Sequence, residues 1–265
     1  MLNMKKNTTG DKTNKGTASN SIEEQIRSSI ADRNWTVSLK IALSCRKLAI
    51  EGHAQTLAGH VTARGENGTI WANQLLGGFA TLCQSTVIRV NDNLDVIEGN
   101  GIPNPGMRFH QWVYKARPDV NSIVHTHPPY TSALAMTGKE LVIAHMDATM
   151  FYDDCAYLSE WPGVPLADKE GQIISEALDN KKSILLANHG LLTTGKTVEE
   201  AVYLAIQFER AARLQLLAES IGKIKTIKEE YAQEAHDFLL SEGVVLGQFY
   251  SWADQLYKEQ PDVRD

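Results

Sequence analysis

No apolar stretch in this 265-residue sequence approaches the roughly 20 residues that a bilayer-crossing helix needs. Cysteine is scarce. Cys45, Cys83 and Cys155 are an odd three, widely spaced and without a CxxC pair. That excludes a disulfide frame or a zinc knuckle and points to packing thiols in a reducing compartment. Blocks of Lys and Arg are missing as well: 26 basic residues face 32 acidic ones, for a net charge of −6. Neither a nucleic acid nor a membrane surface is therefore an expected partner. Lys5 and Lys6 are followed by no apolar run, which is not the pattern of a signal peptide. Residues 1–20, mostly Asn, Thr, Gly, Lys and Ser, hold too little apolar surface to offset the entropy of ordering and are expected to form a disordered tail. The expected compartment is the cytoplasm.

What is present is globular: 43% hydrophobic and 22% charged residues, enough for one substantial core. Without internal repeats or a linker-like run, residues 21–265 are expected to form one domain. Apolar spacing predicts a helix over Trp35–Ile50, ended by Gly52. Short β-type runs follow at His60–Ala63, Thr69–Trp71, Thr86–Val90 and Leu94–Ile97, the last pair joined by Asn91-Asp92-Asn93 turn chemistry. A helix over Met107–Lys115 stops before Pro118. A strand at Ser122–Thr126 must end at Pro128-Pro129, because two prolines cannot continue a ladder. Further expectations are a helix at Tyr130–Met136, a strand at Leu141–Ala144, a helix at Ala167–Leu178 and an apolar strand at Ser183–Ala187. Thr197-Val198-Glu199-Glu200 reads as a capping box opening a long helix to about Ser220. Helices at Ile227–Leu240 and Gly243–Tyr257 complete a sheet covered by helices.

Chemistry concentrates in Val124-His125-Thr126-His127-Pro128-Pro129. Strand side chains two apart point the same way, so His125 and His127 share a face where the prolines force the chain out of the sheet. Two neutral ligands hold a cation weakly, so a third is required, and Asn188-His189-Gly190 supplies it. His189 follows its strand at the equivalent place, and Gly190 removes a side chain where something must approach closely. Three histidines with no carboxylate, and coordination positions left open, suit a catalytic rather than a structural site. The alternative is that the His-x-His pair and the His-Gly are ordinary surface or core histidines.

The runs RPDVNSIVHTHPPYTSALAMTG and SILLANHGLLTTGKTVEEAVYLAIQFERAARLQ resemble the class II aldolase/adducin family over roughly Val37 to Ser220. The resemblance implies metal ligands at His125, His127 and His189. It also implies a three-layer α/β/α fold with a central, mostly antiparallel sheet, and a ring-shaped homotetramer with sites near subunit boundaries. The implied cofactor is one divalent ion, zinc first, with manganese or iron as alternatives. Departures are equally informative. Where the family's sugar-phosphate aldolases carry phosphate-binding turns, this chain has Gly59-His60-Val61-Thr62, Asn73-Gln74-Leu75-Leu76-Gly77 and Asn104-Pro105-Gly106. Gly106 occupies the place of the family's general acid/base glutamate, and a glycine cannot move a proton. Tyr152, in Phe151-Tyr152-Asp153-Asp154, matches the region that contributes a tyrosine proton donor in the family; otherwise it packs and the two aspartates make a turn.

His60 and Asn104 are taken as substrate-binding candidates, against the plainer reading of His60 as a turn residue. His110 is expected to be braced in the core. Glu209 and Arg213, four apart on the long helix, have the spacing of an ion pair. The implied activity is metal-dependent C–C bond cleavage, by aldol cleavage or decarboxylation, of a non-phosphorylated hydroxy or keto acid or a hydroxyaromatic carboxylate. The rivals are a non-haem iron oxygenase acting on an aromatic acid side chain, and a non-catalytic adducin-like interaction module.

Overall fold

A computed structural model describes residues 21–30, 33–53, 57–164 and 168–265; the expected tail at 1–20 lies outside them, as does Ala167. Eight strands form one sheet in the order β4–β3–β2–β1–β5–β8–β7–β6. The strands are β1 (His60–Arg64), β2 (Ile70–Asn73), β3 (Val87–Val90), β4 (Val96–Glu98), β5 (Ser122–Thr126), β6 (Cys155–Leu158), β7 (Ser183–Leu186) and β8 (Leu191–Gly195). Every neighbouring pair is antiparallel except β6 with β7.

The middle of the sheet is buried on both faces, which is why β7 reads as a nearly continuous apolar run rather than an alternating one. Period-two alternation still sorts the side chains. Ile123, Ile184 and Leu192 join one core with Phe109, Val113 and Ile174 of α3 (Arg108–Ala116) and α5 (Asp168–Leu178). Val124, Leu185 and Leu191 join the other. That second core is closed by α2 (Val37–Ile50), α6 (Val198–Ile221) and α8 (Glu242–Glu259). The result is the expected three-layer α/β/α arrangement. The remaining helices are α1 (residues 21–29), α4 (Pro129–Ala135) and α7 (Glu229–Leu239). No helix among the described residues is long and apolar enough to cross a membrane.

The capping box works with a one-residue change of partner. The Thr197 hydroxyl accepts the Glu200 N–H at 3.2 Å, while the Glu200 carboxylate reaches the Lys196 N–H at 2.7 Å. One expectation is corrected. Leu141–Ala144 joins no ladder. A side chain takes over there instead: Gln215 on α6 accepts the Val142 N–H at 2.8 Å and donates to the Glu140 carbonyl at 3.0 Å. The strands β6 and β8 are additions to the expected set, and β8 sits between β5 and β7, the strands that lead to the histidines.

Candidate metal centre

The three sequence-predicted ligands converge. His125 is the fourth of the five buried residues of β5, His127 lies just past the strand, and His189 sits in the turn between β7 and β8. Their ligand nitrogens all lie within 4.8 Å of one another. The Nε2 atoms of His125 and His127 are 3.0 Å apart. Ring centroids are 4.6–4.9 Å apart, with the rings nearly perpendicular.

The backbone prepares each ring. The turn from β7 to β8 places Asn188 in the left-handed region at φ 55°, which asparagine tolerates better than most residues. The Leu186 N–H donates to Gly190 O at 2.9 Å and the His189 N–H to Leu186 O at 3.1 Å, projecting His189 from a closed turn. Gly190 is required: a Cβ there would meet Cδ2 of His127 at 2.5 Å and the Thr126 carbonyl at 2.6 Å. The His125 Nδ1–H donates to the Leu191 carbonyl at 2.8 Å. That bond fixes the tautomer, leaving an Nε2 lone pair turned toward the other two rings.

Burial holds all three rings below the usual imidazole pKa: His125 well below it, His127 lowered, and His189 down to about 4, with the neighbouring imidazoles adding to the effect on His125 and His189. Near neutral pH they are uncharged, the form in which imidazole binds a cation. Three neutral nitrogens, one tautomer fixed from behind, and a glycine cradle fit one divalent ion. His127 and His189 are half-buried, so coordination positions stay open to solvent.

Glu209 anchors the segment that follows His127. Its carboxylate accepts the Tyr130 N–H at 2.9 Å, the Thr131 N–H at 2.7 Å and the Thr131 hydroxyl at 2.7 Å. It therefore caps the N-terminus of α4, where orphan N–H groups and the helix dipole favour an anion. The expected pair with Arg213 does not form; that guanidinium lies over the Tyr130 ring, 5.3 Å from its centroid. Glu209→Ala should cost about 2–4 kcal/mol, because two backbone N–H groups lose their acceptor. Ion affinity should fall about tenfold, since Pro128-Pro129 transmit any shift of α4 to His127. Denaturant unfolding and a competition titration measure the two effects.

The remaining candidates separate. His60 faces the centre: it is Cα-paired with His125 across β1 and β5, their ring centroids 5.4 Å apart. It is 3% exposed, and neither ring nitrogen has a hydrogen-bond partner. Each such atom costs about 1–3 kcal/mol. Gly106 is bare because of it, since a Cβ there would meet His60 Cε1 at 2.6 Å. Asn104 lies beside both, its amide engaged by the Gly106 N–H and the Leu57 carbonyl, each at 3.0 Å.

His110 is braced as expected, Nδ1 on the Thr62 hydroxyl at 2.8 Å, but its Nε2 has no partner. Thr62 also meets the Tyr114 hydroxyl at 2.8 Å. Tyr152 is half-buried after the short 3-10 helix Met146–Phe151, and the following Asp153 turns at φ 48°. Two groups beside the site escaped sequence reasoning. Phe109 packs edge-on against His125 at 4.9 Å. His53, just past α2, holds the Thr126 hydroxyl at 2.8 Å; a lone histidine in Glu51-Gly52-His53-Ala54-Gln55 offered no spacing signal.

Residues 39–216 match the class II aldolase and adducin N-terminal domain. The chain is 32% identical over 208 residues to a protein of Streptomyces niveus named decarboxylase NovR, covering 77% of each. It is 31% identical over 208 residues to a Streptomyces roseochromogenus subsp. oscitans protein, covering 77% of this chain and 75% of the relative. That relative is named 4-hydroxy-3-prenylphenylpyruvate oxygenase/4-hydroxy-3-prenylbenzoate synthase. Among solved structures, the L-fuculose 1-phosphate aldolase from Glaciozyma antarctica PI12 superposes with a TM-score of 0.80 at 32% identity, covering 86% of this chain and 92% of that one. With its histidines on the β5 and β7–β8 rim of a three-layer sandwich, this chain belongs to the class II aldolase/adducin family.

Proposed function

We propose that this protein is a divalent-metal-dependent lyase that cleaves a C–C bond, by aldol cleavage or decarboxylation, in a non-phosphorylated hydroxy or keto acid or a hydroxyaromatic carboxylate. The observation that carries this reading is the convergence of His125, His127 and His189, with the bare Gly106 against His60, the ring next to His125. A bound ion supplies Lewis acidity and a template for two adjacent substrate oxygens. Zinc is the first candidate, with manganese or iron(II) next.

The chain's own residues decide the rest. Gly106 offers no proton, which suits a leaving group that departs as carbon dioxide. Leu57, Leu76 and Ile102, each about half exposed, sit on loops tied together beside Asn104: Leu75 N–H donates to Ile102 O at 2.8 Å, and the Asn104 amide to Leu57 O at 3.0 Å. Such a wall suits an apolar substrate body better than a phosphate, whose charge it would leave unpaired. Asn104 and His60 line the substrate side. Tyr152 is assigned as proton donor to a neighbour's site in a cytoplasmic homotetramer, so light scattering should give about four times the 29.3 kDa chain mass.

Assay of the ion-loaded enzyme against both substrate panels tests the proposal. Fuculose-, rhamnulose- and ribulose-phosphates should be turned over at least about a hundredfold less efficiently than the best keto or hydroxy acid, a gap of roughly 2.7 kcal/mol. Sugar-phosphate cleavage at an aldolase's rate would defeat the substrate assignment. The name of the second Streptomyces relative supports one other reading, an iron oxygenase, which dioxygen uptake by the iron(II)-loaded protein would reveal.

A further inference from the structure

Behind the metal centre lies a second group of polar atoms without partners. His60 and His110 are both fully enclosed, with ring centroids 5.4 Å apart in an edge-on arrangement. Both nitrogens of His60 and Nε2 of His110 have no hydrogen-bond partner. Asn104 reaches toward the His60 ring, but its amide is shared with other partners. Asn104 is held by Gly106 and Leu57, and Asn73 by the Val61 N–H at 2.8 Å and the Gly59 and Gln74 carbonyls at 3.2 Å. Thr62 is shared between His110 and Tyr114. Buried polar groups in folded proteins are nearly always matched, so three unmatched nitrogens in one spot mark a place where a ligand atom belongs.

We propose that His60 and His110 form a hydroxyl-binding position beside the metal centre, which receives a substrate oxygen next to the two that chelate the ion. The inference rests on the chelating-acid reading given above. Register places the position: β1 pairs His60 with His125, so the imidazole stands next to a metal ligand rather than remote from it. Chemistry selects the group. Phe109 packs against both His60 and His110, with centroids at 5.8 and 4.6 Å, so the floor beneath them is aromatic. A neutral hydroxyl can donate to one imidazole nitrogen and accept from another. Two neutral imidazoles can match a hydroxyl, whereas a phosphate would bring in about two charges that the ion alone would have to meet. The bare Gly106 completes the position, because any side chain at 106 would displace the His60 ring.

Lactate and glycerate are suitable probes, since both chelate through a carboxylate and the 2-hydroxyl and they differ by one hydroxyl on C3. Calorimetric titration of the zinc-loaded protein should show glycerate bound about tenfold or more tightly than lactate, because a site built to pair a hydroxyl leaves its own groups unmatched without one. In His60→Leu the preference should fall below about twofold with the metal content unchanged. In His60→Asn, which keeps a donor and an acceptor, much of it should survive; this variant also serves should the leucine protein fail to fold. Equal affinity for the two acids in the wild type, or a preference that persists in His60→Leu, would overturn the assignment. Failure of both acids to bind would overturn the chelating-acid reading and this one with it.

Discussion

Alanine at His125, His127 or His189 is expected to remove the single divalent ion from the protein while the fold stays intact. Four-ligand zinc sites are worth about 10–16 kcal/mol near neutral pH, so one ligand of three carries on the order of 4 kcal/mol, about a thousandfold in Kd. His127 and His189 are half-buried, and their truncation opens little cavity. His125 is 1% exposed and packs against Phe109, so its alanine variant should also lose some stability. Elemental analysis after gel filtration reads the stoichiometry directly. Thermal unfolding gives an independent measure: an ion at about a hundred times its Kd stabilises the wild type by about 2.7 kcal/mol, and the variants should show no such gain. One ion per chain retained in any variant would remove that histidine from the ligand set.

The metal ligands were legible because each signal is local. His-x-His beside two prolines fixes both the shared face and the strand end, and Gly190 announces the close approach that the His127 ring then makes. The strand β8 was not legible, because Leu191–Gly195 runs straight into the Thr197 cap and its apolar pair reads equally as the approach to a helix. Asn188 and Gly190 carried the hairpin signal, one in the left-handed region and one without a side chain. Leu141–Ala144 has strand composition, but its backbone is met by the Gln215 side chain, 73 residues away from Val142, and by the Ile227 N–H at 2.9 Å, which no local pattern reveals. The same limit applies to His60 and Gly106. Each looks ordinary in sequence, and only the fold shows that the imidazole of one occupies the space above the other.

The metal-free protein is expected to lose stability steeply as pH falls from about 6.5 toward 5. Burial holds His53 and His60 down at about 3, and His110 and His125 well below the ordinary value of 6.5. Below pH 6.5 the unfolded chain takes up protons that these native rings refuse. Stability present above 6.5 is therefore lost progressively until the native pKa is reached. Each ring contributes about 1.4 kcal/mol per pH unit, so four rings remove on the order of 8 kcal/mol by pH 5, comparable to the whole stability of a typical domain. His236 has the opposite sign. Its hydrogen bond to Asp154 raises its pKa, so its contribution is complete below 6.5, is lost as pH rises through the folded value, and does not enter the acid window. The carboxylates held low by basic partners, such as Asp119 beside Arg117, act only below about pH 4. A bound ion should move the transition to lower pH by keeping its ligands unprotonated. His53 allows a test at a ring that is not itself a ligand, since its Nδ1 meets only the Thr126 hydroxyl and its Nε2 has no partner. His53→Leu should reduce the slope of unfolding free energy between pH 5 and 6 by about 1.4 kcal/mol per unit, measured by urea titration of the metal-free protein. A slope unchanged by that substitution would mean that the native state takes up the proton at His53, through local opening that the packed ring does not suggest.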